Sequence, residues 1–63
     1  MISYDPLHET LREKNMVISQ LRGKVLNSKT ISKIYKNQSV NLSTIEKICK
    51  TLQVPIERVV KIE

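Results

Sequence analysis

The chain has no Trp, no Phe, one Cys, one Gly and one His among its 63 residues. Without large aromatics its apolar set is aliphatic, eight Ile, six Leu and six Val with two Tyr, which suits small interlocking helices better than a deep ligand pocket. At this length folding buries only roughly 60% of the surface an unfolded chain exposes, so residues 1–63 are read as one domain. A lone Cys49 cannot close an intramolecular disulfide, and small secreted domains usually need several, so a reducing cytoplasm is expected. The start "MISYDPLHETLREKN" lacks a basic segment followed by an apolar run, and no stretch has the length needed to span a bilayer, so no membrane partner is expected. His8 and Cys49 lie 41 positions apart and make no metal site of recognisable spacing. Glu9 and Glu13 share a helix face but lack the pocket an acid/base pair requires. No catalytic residue, metal, cofactor or small-molecule substrate is assigned, and the chain is not read as an enzyme.

A different absence carries more. From Lys14 to Ile45 there is no carboxylate, while Lys14, Arg22, Lys24, Lys29, Lys33 and Lys36 all fall within that stretch. All six acids lie in the flanks, residues 1–13 and 46–63, which hold one and four basic residues respectively. The formal charge of +5 is thus a +6 block between nearly neutral ends, a distribution that favours a polyanionic partner.

Apolar spacing places short helices along the chain. Asp5-Pro6 suits a helix entrance, with Asp as cap and Pro where no donor is lost, and the first helix runs from about Pro6 to Lys14 with Asn15 at its exit. In "VISQLRGKV", Ile18, Leu21 and Val25 form a stripe at i, i+3 and i+7 that predicts a second helix containing Gly23. Asn27 is a suitable N-cap for a third helix, about Ser28 to Asn37. At 100° per residue, Ile31, Ile34 and Tyr35 cluster on its inward side, with Lys29, Lys33 and Lys36 opposite and Ser32 beside them. "STIE" matches a capping box, Ser43 to Glu46, ahead of a fourth helix whose stripe is Ile45, Ile48, Cys49 and Leu52. Cys49 reads as a small buried hydrophobe. Pro55 opens a short fifth helix facing inward through Ile56, Val59 and Val60. The terminal "KIE" either continues that helix or turns extended to pair with "ISY".

The second and third predicted helices are separated by a short connection inside the acid-free block. This order resembles the Cro/cI-type, or XRE-family, helix-turn-helix regulators, and especially their minimal single-domain members. The resemblance covers nearly the whole chain: "ISYDPLHETLREKNM", "ISQLRGKV", "NSKTISKIYKN" and "VNLSTIEKICKTLQVPIERVV". It implies an all-α, compact, four- to five-helix lambda-repressor-like domain with its helix-turn-helix at helices 2 and 3. In that family the helix after the turn reads bases, and the matching positions are Ser28, Lys29, Ser32 and Lys33. The connection after it, here "KNQSVNLS", grips phosphates. Two positions depart from the family pattern: Val25-Leu26 stands where members usually place a turn glycine, Gly23 lying too early for it, and Ile18 stands where many carry a phosphate-binding Gln.

Lysine donates to guanine O6 and N7, which assigns Lys29 and Lys33 to base edges and Lys36 to phosphate. Lys24, Asn37, Gln38, Ser39, Asn41 and Ser43 are the other phosphate candidates, because polar loops and helix starts offer N–H groups to anions. The function expected is a sequence-specific regulator of transcription, a repressor, that binds a double-stranded DNA operator as a homodimer. The alternative is a protein-interaction module on the same fold, an antitoxin or a partner of a larger regulator. Ile62 is a candidate for the dimer surface.

Overall fold

Pro6 sits in the first turn of α1, Asp5–Glu13, where its missing N–H removes no helix bond. Asp5 is the first helical residue rather than the cap: Ser3 Oγ accepts the Asp5 N–H at 3.3 Å, and the Val59 carbonyl accepts the Leu7 N–H at 3.1 Å. The computed structural model describes residues 1–63, and in it α1 is followed by a single 3-10 turn, Ile18–Leu21. Then come α2, Ser28–Tyr35, α3, Leu42–Leu52, and a second 3-10 turn, Ile56–Arg58.

The predicted second and fifth helices are therefore one-turn 3-10 segments, and the molecule has three α-helices, not four or five. It is also not wholly helical. The ends of the chain pair as a short antiparallel ladder, β1 (Ile2–Ser3) against β2 (Lys61–Ile62), with Ile2 opposite Ile62 and Ser3 opposite Lys61. This resolves the reading of "KIE" toward the extended alternative.

The second helix stops at Leu21, where Arg22 turns extended, and Gly23 then closes the turn. It adopts φ +82, in the left-handed region that a continuing right-handed helix cannot use. The Leu21 carbonyl accepts the N–H groups of Val25 and Leu26, each at 3.0 Å, and Gly23 N–H returns to the Leu26 carbonyl at 2.8 Å. Residues 22–27 thus form a closed loop, with Gly23 as its turn glycine. Leu26, expected in the turn, is a core residue, while Val25, expected in the helical stripe, only packs against the core's edge.

The core gathers residues from the three α-helices and the first 3-10 turn: Leu7 and Leu11 of α1, Ile18 and Leu21 of the turn, Ile34 of α2, and Ile45, Ile48 and Leu52 of α3. Tyr4, Leu26 and Val59 complete it. Burying each such aliphatic side chain contributes about 1.5–3 kcal/mol. Thr10 is the buried polar residue of α1, and its hydroxyl donates to the Arg58 carbonyl at 2.7 Å, tying α1 to the C-terminal 3-10 turn. A Glu13–Arg58 ion pair joins the same elements at the surface.

Candidate nucleic-acid interface

Asn27 starts α2 as its sequence position predicts, its Oδ1 accepting the Thr30 N–H at 2.8 Å. Eight residues at 1.5 Å each make α2 about 12 Å long, matched to a major groove about 12 Å wide. Its buried anchor is Ile34, with Ile31 half-buried beside it. Ser28, Lys29, Ser32 and Lys36 are exposed, whereas Lys33 is half-buried, so its stem lies against the protein surface.

Tyr35 corrects the sequence reading. It is 63% exposed rather than in the core, and its ring stacks on His8 of α1 with centroids 5.8 Å apart and planes 18° apart. Its place at the flank of the α2 wheel turns it toward the outer side of α1, where the imidazole covers one ring face.

Two surface ion pairs form, Glu46–Lys50 and Glu13–Arg58. Both use bases from outside the acid-free block. Lys14, Arg22, Lys24, Lys29, Lys33 and Lys36 consequently carry uncompensated charge, and each is exposed except Lys33. Arg22, which the helical reading of "VISQLRGKV" places inside a helix, lies exposed beside Gly23 and Lys24 in the closed loop.

The connection from α2 to α3 is held at both ends. Asn37 adopts φ 55, and its N–H bonds to the Ile34 carbonyl while the Gln38 N–H bonds to the Lys33 carbonyl. This is a Schellman ending, with Asn in the left-handed position. Asn37 Oδ1 accepts the Tyr4 N–H at 3.2 Å, and the Tyr4 hydroxyl donates to the Gln38 carbonyl at 2.6 Å. Burial pushes the Tyr4 phenol above the usual tyrosine value, with the neighbouring Val40 backbone acting in the opposite sense.

Beyond this clamp the backbone is open. The N–H groups of Ser39, Asn41, Leu42 and Ser43 have no protein acceptor, and all four residues are exposed. Ser43 is not the cap expected of it. The cap position is Asn41, two residues earlier, so that α3 begins at Leu42; the Asn41 carbonyl receives Thr44 and Ile45, while Glu46 pairs with Lys50 instead of reaching back. Lys24 lies in the preceding loop, also exposed.

Elsewhere the surface offers little chemistry. No group of three His, Cys, Asp or Glu is disposed to hold a metal ion, and no helix is long and apolar enough to cross a membrane. Cys49 is half-buried against the core, and burial first, then the nearby Glu57 charge, pushes its thiol up and disfavours the reactive thiolate.

Residues 6–63 match the family model of the Cro/C1-type helix-turn-helix DNA-binding domain. No curated protein matches the chain. Among solved structures it is similar to transcriptional regulator VanUg in its crystal Form II, at a TM-score of 0.90 and 28% identity over 95% of this chain and 81% of that one. With the matched region reaching from the first turn of α1 to the last residue of the chain, the protein belongs to the Cro/C1-type helix-turn-helix DNA-binding family.

Proposed function

We propose that residues 1–63 act as a single sequence-specific DNA-binding domain that regulates transcription, as a repressor, by placing α2 in the major groove of a double-stranded operator. The observation that carries this reading is an exposed, acid-free helix face followed by four unpaired N–H groups, Ser39 and Asn41 in the connection and Leu42 and Ser43 in the first turn of α3. Ser28, Lys29, Ser32 and Lys33 contact base edges. Lys24, Lys36, Asn37, Gln38, Ser39, Asn41 and Ser43 face phosphates. Asn37 Oδ1 and the Gln38 backbone carbonyl are engaged by Tyr4, and both backbone N–H groups bond α2 carbonyls, so each residue contributes through its side-chain amide N–H groups. The mechanism is binding without a cofactor: phosphate contacts supply affinity and register, and α2 supplies discrimination.

One short helix reads too few base pairs to be selective in a genome, which argues for a homodimer on a two-fold related site. Leu42, Ile56 and Ile62, which are 72%, 47% and 76% exposed, give the monomer exposed apolar surface on which a second copy would pack; Ile56 and Ile62 lie outside the basic block. The same surface favours the second reading, an interaction module on this fold, since the helix bracing α2 is reduced to one 3-10 turn.

Titrating a duplex pool at two salt concentrations separates these readings. A regulator binds selectively, and its affinity falls steeply with salt; an interaction module shows weak, unselective retention or none. Lys33→Ala is expected to cost about 1–3 kcal/mol in binding and to relax preference at one base. Uniform weakening over all sequences would instead make Lys33 a phosphate contact.

A further inference from the structure

We propose that Tyr4 is a positioning residue for DNA binding, its hydroxyl orienting the Gln38–Ser39 peptide so that the Ser39 N–H faces a phosphate; this rests on the DNA-binding reading above. Tyr4 lies beside β1, 34 residues from the carbonyl it holds, and is 1% exposed. Its ring fills core space that Phe would fill equally well. What the hydroxyl adds is one bond, 2.6 Å long, to the Gln38 carbonyl.

That bond fixes more than an oxygen. In a trans peptide the C=O and the following N–H point in opposite directions across one rigid plane. There is no cis peptide in the chain, so a Gln38 carbonyl drawn inward to Tyr4 turns the Ser39 N–H outward. Ser39 is exposed, and its N–H has no acceptor within the protein.

A second bond from the same residue stops the plane from drifting. The Tyr4 N–H donates to Asn37 Oδ1 at 3.2 Å, gripping the left-handed residue that ends α2. Tyr4 therefore holds both residues that set the direction in which the chain leaves the recognition helix. Lys36, immediately before them, and the free donors of Asn41 to Ser43, after them, are carried along. Tyr4 itself is buried, so it acts without touching DNA.

Tyr4→Phe keeps the ring and the Tyr4 backbone bond while removing the hydroxyl. On a duplex selected by the wild type, its affinity is expected to fall about 5-fold, the loss of one hydrogen bond. The reduction should be equal for all duplex sequences, because a phosphate contact carries no base information. Binding is to be measured well below the melting temperature of both proteins, so that a merely structural role would lower that temperature and leave affinity unchanged. In the wild type, the Ser39 amide proton should move downfield on duplex addition, a readout that needs no variant. An unmoved Ser39 signal, or a folded Tyr4→Phe protein with wild-type affinity for a duplex the wild type binds, overturns the role of Tyr4 alone. Failure of the wild type to bind any duplex overturns the DNA reading and this inference with it.

Discussion

Gly23 separates what spacing suggests from what the backbone does. Ile18, Leu21 and Val25 fit a helical stripe, yet at φ +82 Gly23 can belong only to a turn. The two readings predict opposite signs for Gly23→Ala. Inside a helix the change would stabilise by roughly 1 kcal/mol; at this φ it should destabilise by about 1–2 kcal/mol, measurable by denaturant unfolding. Nothing lies within 4 Å of an added Cβ, so the cost is conformational strain and not a clash. Tyr35 departs from the pattern for a related reason: a wheel places it at the edge of the apolar arc, and only the position of His8 on α1 decides which way that edge faces.

At the scale of elements, the three α-helices were legible because each runs long enough to show a period and a recognisable start or end. The Asn27 cap is the clearest instance, and Asn27→Ala should cost about 1 kcal/mol of stability. Its effect should concentrate at Ser28 to Ile31, seen as faster amide exchange in that turn than elsewhere in α2. The one-turn 3-10 segments could not be recognised by periodicity, since four and three residues do not complete a repeat. "STIE" has the form of a capping box, but α3 starts a residue before it, and Glu46 finds Lys50 one turn onward. The terminal strands were legible only as one of two options, because a two-residue ladder is specified by tertiary pairing and not by local pattern.

For the molecule as a whole, the charge map read from the sequence survives folding. The two ion pairs draw on the flanks, and the middle block remains unpaired. The candidate interface was legible to the extent that it is contiguous in sequence: α2 and the connection after it. What could not be read was the long-range support, Tyr4 on Asn37 and Gln38, and the half-covered state of Lys33, since both depend on elements far away in the chain. Exposed Ile56 and Ile62 lie in the flank that carries the mixed charges, whereas exposed Leu42 lies within the acid-free block. Selection from a random duplex library tests the central claim most directly. Recovered sequences should converge on two inverted half-sites about 34–36 Å apart, with base preference lost at defined positions when Lys29→Ala or Lys33→Ala replaces the wild type. A library that shows no enrichment, or enrichment unaltered by either substitution, would contradict a groove-reading role for α2.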